Sequence, residues 1–561
     1  MKKLLPLGLF YLLFLFVCAY SANSQSIVWA TSYGGPGKDK GRDIGVDASG
    51  NSYVTGFFSD SATFGSQKIY TVGDSIDEDI FIAKFDGNGA PLWAHSFGNG
   101  IEDHTDFPYG FSTNETGYSV ITGICSNYIK FEKGDSAGTG SLNDMMLVLF
   151  DNDGNLKWAK VGGWGNKVQY GSAAFISNDG TIYCTGNFTG DTLNVYGDTL
   201  LTFSDSKQRF FTASYTTAGD LLWVNSYASD NTLESRDIKG DEYGNLYVSG
   251  NYEGTFNVDY SSITSLGSND GFIMKLNTNS GFQWVKTFGS SIPNSSESAY
   301  TIAVDTSKNL YAASIFNDNI TFDGNTITTG SKHNIVVVCY GADGVYKWAN
   351  SIVGDADAMF SIFCLGLMAE DNVVVTGCFT GVATIDGYLS TTPYGPDPIY
   401  SDVLYAAFSP IDGKGQWISH VGGTDTDAGF GLAGNHSGFS YAAGNFHFDG
   451  TFGPYTLYAD GISDGFVLKF HQNDYLSVPG NLVKQNATAF PVPSNGTLNV
   501  SLTPDATLLK FVDELGRVLI EKNVTGKSLE TLNLESYSNG NYYLQICGPS
   551  SINAVKVILQ K

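Results

Sequence analysis

Four carboxylates share one position in a long repeating sequence. Asp39, Asp106, Glu297 and Asp427 each stand 17 residues before the end of a recurring strand motif, where the other copies carry Gln169, Leu233 and Phe360. Gathered about an axis, they would form a broken acidic rim. Such a rim could take a cation, or the amines and hydroxyls of a glycan. Asp at such a site also caps backbone N–H groups of its own turn, and both readings stay open.

Other chemistry is sparse. The Asp151-Asn152-Asp153-Gly154 run starts like a calcium loop but has no Glu at the EF-hand spacing, so it reads as a hairpin turn. The seven histidines, His436 and His447 among them, show no metal-ligand spacing. G-x-S-x-G, H-E-x-x-H and P-loop motifs do not occur. No cofactor or metal is expected, and the balance is against an enzyme. Distant repeats could still supply a carboxylate pair for glycoside cleavage.

The elements that must position these residues come from the repeat. A strand ends in YVTG at 53–56, VITG at 120–123, YCTG at 183–186, YVSG at 247–250, YAAS at 311–314, VVTG at 374–377 and YAAG at 441–444, at intervals of 63 to 67 residues. In each copy an apolar stretch and a Gly/Asn/Asp turn precede the motif. About 20 residues then lead to a third strand such as DIFIAKFD at 79–86, and a second tight turn leads to a fourth strand containing Trp. Four antiparallel strands per copy make the blade of a propeller. The long connections, from strand four to the next strand one and from strand two to strand three, mark the face where a channel mouth would open.

Trp93, Trp158, Trp223, Trp284, Trp348 and Trp417 occupy the fourth strands of copies one to six. Copy seven has none of its own. The missing strand is residues 27–35, IVWATSYGG, which match LWAHSFGNG of copy one and place Trp29 64 residues before Trp93. This permutation predicts a seven-bladed ring closed by an N-terminal strand, with no free sheet edge. Trp164 is outside the pattern.

Composition agrees. Gly numbers 67, Tyr and Phe together 69, and charged residues are only 15%. That is the balance of short strands joined by tight turns. Lys2, Lys3, an apolar run at 4–19 and small residues at 22–24 read as a signal peptide over 1–24, and no other segment could span a membrane. Loss of the two lysines takes the net charge from −26 to −28, which argues against a nucleic-acid partner. Six cysteines remain, none in a CxxC pair. They read as small buried residues, although Cys364 and Cys378 could face each other across a hairpin.

The runs G-x-D-x-G-x-x-I-x-V-D-x-x-G-N-x-Y-V-T-G at 37–56 and D-x-F-I-A-K-F-D-x-x-G at 79–89 resemble the bacterial β-propeller repeat family of secreted proteins. The resemblance implies the fold and an extracytoplasmic home, not an activity. After a linker at 480–487, residues 488–561 resemble the C-terminal sorting domain (type A) of the type IX secretion system of Bacteroidota. The carrying features are Pro491-x-Pro493-Ser494-Asn495-Gly496, Asp513-x-x-Gly516, Gly540-Asn541-Tyr542 and a last strand with Lys556 and Lys561. The alternation there predicts a small immunoglobulin-like β-sandwich. Asp60-Ser61-Ala62 and Asp135-Ser136-Ala137 fit an O-glycosylation acceptor pattern familiar in that phylum.

The expected domains are therefore signal peptide 1–24, propeller 25–479, linker 480–487 and sorting domain 488–561. The expected function is an exported surface or secreted binding and adhesion module for a glycan or protein. The rival is a secreted polysaccharide hydrolase or lyase. Type IX secretion machinery is the expected partner of the tail.

Overall fold

The computed structural model describes residues 26–471 and 488–561, apart from 73–77, 100–105, 133, 139–143, 164–168, 293–294, 296, 331–332, 357, 369–370, 388, 395–398, 435–438, 491–493, 503–505, 514–517 and 548–551. The expected signal peptide and linker, Trp164, His436 and the two prolines of the tail opening lie outside the described residues. The chain is all-β. It falls into two units, residues 1–472 and 473–561.

In the first unit a set of four antiparallel strands recurs. Asp39–Val46, Ser52–Ser59, Glu78–Phe85 and Pro91–Gly98 lie side by side in that order. The first strands of the later sets are Phe107–Thr113, Gln169–Ile176, Leu233–Gly240, Thr301–Val304, Phe360–Leu367 and Ala428–Gly434. Each packs against the next, and Ala428–Gly434 packs against Asp39–Val46. The last set takes its outer strand from the N-terminal side: Ser26–Tyr33 pairs antiparallel with Asp464–His471.

Burial follows the sequence pattern. The third strands are apolar nearly throughout because both their faces are covered; every residue of Asp144–Phe150 is buried. The outer strands carry the tryptophans, and these tie one set to the next. Trp29 Nε1 donates to the Gly87 carbonyl at 3.1 Å, Trp93 to Asn152 at 3.3 Å, Trp158 to Thr217 at 2.9 Å, Trp223 to Thr278 at 2.9 Å and Trp348 to Pro410 at 3.1 Å. Every acceptor sits in a turn after a third strand. Gly89, at φ 84°, shows why that turn needs glycine: a Cβ there would lie 2.7 Å from the Trp29 ring.

The segment between strands two and three differs from expectation. It is a two-stranded hairpin rather than an open connection, and it crosses to the outer strand of the preceding set. Tyr128–Phe131 pairs with Pro91–Gly98, Asn319–Phe322 with Phe282–Gly289, and Asp449–Phe452 with Gly415–Gly423. In the first set the hairpin makes a single bridge, Gly34 to Thr63, onto the Ser26–Tyr33 side. These hairpins cover outer edges that would otherwise present unpaired backbone groups.

Cys364 and Cys378 do not face each other. Thr376 stands opposite Cys364 and Ser361 opposite Cys378, so the register of the hairpin sets the two apart, and both thiols are free. The Asp151 run is a hairpin turn, with Gly154 N–H donating to the Asp151 carbonyl at 3.0 Å.

The second unit has two sheets. Thr488–Phe490, Thr497–Ser501 and Leu529–Asn533 form one; Val518–Asn523, Leu508–Asp513, Gly540–Cys547 and Ile552–Leu559 form the other. Leu498, Val500 and Leu532 from the first meet Leu509, Phe511, Leu544 and Val557 from the second in one apolar core.

Candidate functional site

The final glycine of the strand motif shapes the site. A Cβ on Gly56 would lie 1.9 Å from the Lys40 carbonyl, on Gly123 1.9 Å from that of Phe107, on Gly250 1.9 Å from that of Glu234 and on Gly377 1.8 Å from that of Ser361. Only a residue without a side chain admits the neighbouring first strand so closely. Opposite that glycine the first strand carries one extra residue, a β-bulge. Gly41 faces Gly56 and Asp43 faces Thr55, which leaves Arg42 unpaired. By the same shift Tyr109, Ser172, Arg236, Phe363 and Phe430 are the extra residues of their strands.

The fifth set tests this logic. Its motif ends in Ser314, and pairing of its first strand begins only at Thr301 opposite Ala313. With a Cβ in place of the glycine, the bulge is replaced by a shortened strand, and Tyr300 precedes it.

These residues, each 14 before the motif end, converge. Arg42, Tyr109, Ser172, Arg236, Tyr300, Phe363 and Phe430 together line a cavity of about 100 Å³, with Asp43, Asp237, Lys239, Thr301 and Cys364 one layer on. A β-bulge re-aims its extra side chain, and here the first strands send theirs to a common place.

The electrostatics within the cavity are uneven. Arg236 is compensated: it donates to Glu234 at 2.9 Å and to Asn251 at 3.2 Å. Asp237 accepts from the Ile302 N–H at 3.0 Å, from Thr301 at 3.3 Å, and pairs with Lys239 at 3.3 Å. Burial pulls the Lys239 pKa down, but Asp237 and Asp43 outweigh it and hold the ammonium above its ordinary range. Burial pushes Asp43 up to about 7, against the pull of Lys239. Arg42 differs. Its guanidinium lies 4.6 Å from the Phe430 ring centroid, and among the described residues it has no hydrogen-bond acceptor or ion-pair partner. Phe363 packs on Phe430 at 4.3 Å. Tyr109 and Phe363 are 45% and 37% exposed, and so present ring surface beside the cavity.

The four carboxylates singled out by sequence sit elsewhere. Asp39, Asp106, Glu297 and Asp427 are fully buried, so they do not form a solvent-facing rim. Each turns to its own loop. Asp39 accepts from Gly35 N–H at 2.9 Å, Asp106 from Ser126 N–H at 3.1 Å and Asn99 at 2.8 Å, Glu297 from Ser290 N–H at 3.3 Å, and Asp427 from Gly423 and His447 N–H at 2.6 and 3.0 Å. Burial raises their pKa values to about 8, 8, 7 and 8, and carboxylates at the starts of third strands (Asp464, Asp79, Asp270 and Asp402) push them further. Among the described residues no three His, Cys, Asp or Glu are placed to hold a metal ion.

Of the two glycosylation triplets, Ser61 is buried and Ser136 is exposed.

Comparisons with known proteins bear on both units. Residues 488–560 match the family described as secretion system C-terminal sorting domain, and residues 28–56 match the beta-propeller repeat. The chain thus carries a β-propeller repeat and a type IX secretion sorting domain, and it is exported by that system to the cell surface or beyond. An uncharacterized WD repeat-containing protein of Acanthamoeba polyphaga mimivirus is 22% identical over 465 residues, 66% of this chain and 32% of that protein. This chain therefore spans about a third of that relative. Two solved structures of unknown function are similar at low scores. One from Dyadobacter fermentans has TM-score 0.34 at 6% identity, covering 80% of this chain and 99% of that one. One from Bacteroides caccae has TM-score 0.24 at 9% identity, covering 48% and 89%. Among the described residues no helix is long and apolar enough to cross a membrane.

Proposed function

We propose that the first unit is a seven-bladed β-propeller closed by Ser26–Tyr33, and that the exported protein is a non-enzymatic binding or adhesion module taking its ligand at the cavity between the first strands. The observation that carries this reading is the convergence on a single cavity of the bulge residues of six first strands and of Tyr300, which precedes the other. The tryptophan bridges, the Ser26–Tyr33 pairing and the contact of Ala428–Gly434 with Asp39–Val46 support the ring. The ligand is an extracellular glycan or protein.

One observation favours the rival reading, a polysaccharide hydrolase or lyase: Asp43, in the cavity, has its pKa raised to about 7 by burial, where a general base would work. Its neighbour Asp237 is held by Ile238, Thr301, Ile302 and Lys239 and is poorly placed to serve as the second acid. A glycan array probed with the full chain, run beside a reducing-end and unsaturated-product assay on the bound polysaccharides, separates the two. Retention without products is expected. Product release that is lost in Asp43→Asn would overturn the binding-module reading.

A further inference from the structure

We infer that the cavity seats the acidic group, carboxylate or sulfate, of an anionic saccharide, with Arg42 as the anion-binding residue and the Tyr109 and Phe363 rings as the platform for the sugar. This rests on the cavity being the ligand site.

The argument starts from an imbalance. The sequence carries a net charge of −26, yet a half-buried guanidinium projects into the cavity with none of its donors bonded to another described residue. Arginine has five N–H donors in a rigid fork, and those of Arg42 reach solvent rather than an acceptor among the described residues, so they are free to meet a ligand. Arg236, on another first strand, shows the compensated alternative, since Glu234 and Asn251 occupy its fork. Asp43 attracts Arg42 only from a distance and does not occupy its fork, since it accepts from the Ile44 N–H at 2.8 Å and feels Lys239 more strongly. Phe430 fixes the guanidinium plane from one side and leaves its edge for a ligand. A fork held in this way matches the two oxygens of a carboxylate or sulfate.

Size and surroundings select the rest. A volume of about 100 Å³ holds a few water-sized groups, enough for a carboxylate or sulfate and too little for a whole sugar ring. The ring must therefore lie outside, where Tyr109 and Phe363 are exposed. Tyr109 continues into an aromatic row, with Phe107 at 6.1 Å and Tyr170 at 5.5 Å. Flat aromatic faces suit the C–H faces of sugars, and the hydroxyls of Tyr109 and Tyr300 provide hydrogen-bonding groups around the cavity, the Ser172 hydroxyl being bonded to Ser235 at 2.9 Å. Export places the protein where such polymers occur.

The test uses the full chain and three matched trisaccharides: galacturonic acid, 6-sulfated galactose and neutral galactose, titrated calorimetrically. At least one acidic trisaccharide is expected to bind ~10-fold or more tighter than the neutral one. Arg42→Gln should abolish that preference, and Arg42→Lys, which keeps charge but loses the fork, should retain only part of it. Thermal melting within about 2 °C of the parent confirms that a variant is folded; should Arg42→Gln unfold, Arg42→Lys is read alone. If the neutral sugar binds equally well and ignores Arg42, the anionic assignment is overturned while the binding-module reading stands. If no saccharide binds but a peptide with a free C-terminal carboxylate binds through Arg42, the saccharide assignment is overturned. If no probe binds at 10 mM, the anionic-saccharide assignment is overturned, and the binding-module reading is left with a folded protein as its ligand.

Discussion

Two positions three residues apart, at or just before the same first strands, behave in opposite ways. At the position 17 before the motif end, Asp39, Asp106, Glu297 and Asp427 are buried and bonded to their own loops. At the position 14 before it, Arg42, Tyr109, Ser172, Arg236, Tyr300, Phe363 and Phe430 meet in a cavity. The first position carries a carboxylate in four copies because there its task is the same, to satisfy backbone N–H groups of nearby loops. The second varies because its side chains share one site and each takes a different part of it. In a repeat protein the recurring residues hold the scaffold, and recognition falls to the register at which the copies disagree.

The strongest way to break this contrast is to remove what holds the scaffold register. Gly56→Val places side-chain atoms where the Lys40 carbonyl already stands, so it should cost upwards of ~3 kcal/mol and lower the melting temperature by about 3 °C or more. Phe363→Leu, at the variable position, should leave melting nearly unchanged, because a side chain already 37% exposed loses little burial. Equal destabilisation by both substitutions would erase the distinction.

The buried carboxylates offer a second test, through pH. Asp39, Asp106, Glu297 and Asp427 have ordinary pKa values of 3.8 or 4.5 and folded values of about 7 to 8. Across that window the folded state binds more protons than the unfolded state. Stability is therefore full below about pH 4 and is lost as pH rises through about 8. Melting scans from pH 5 to 9 should fall by roughly 5 °C or more, and Asp106→Asn should flatten part of the decline. A flat profile would show these groups to be exposed, and one that rises with pH would show them ionised and stabilised in the fold; either would contradict the burial argument.

A smaller effect separates two tryptophans that look alike in sequence. Trp158 donates to Thr217, whereas Trp284 lies beside Gly344, where an added Cβ would come within 3.2 Å of its ring, with its Nε1 buried and no acceptor among the described residues. Trp158→Phe should cost about 1 kcal/mol more than Trp284→Phe in denaturant unfolding, the worth of one hydrogen bond. Equal costs would mean that the carbonyl bridges contribute nothing.

Much of the scaffold was legible because repetition exposes it. Aligning seven imperfect copies located the third strands, the turn glycines and the outer tryptophans, and the displaced Trp29 pointed to the Ser26–Tyr33 pairing with Asp464–His471. The hairpin between strands two and three was missed, although TFDGNTIT at 321–328 carries its signal: Asp323 and Gly324 both take positive φ, as a two-residue hairpin turn requires. The cavity was missed for a different reason. A search for shared residue types finds Asp39 and its equivalents, but the cavity position has no shared type. The bulge also breaks the alternation of two that sorts strand residues by face. The sequence clue lay in the glycine ending each motif and in Ser314, where it is replaced.

The account turns on where a ligand sits, and a crystal structure of the full chain with a bound acidic trisaccharide reads that directly. It predicts the acidic group on the Arg42 guanidinium beside Phe430, with a sugar face against Tyr109 or Phe363. A ligand held on the outer hairpins or at the buried Asp39 and Asp106 loops, with the cavity between the first strands unchanged, would contradict it.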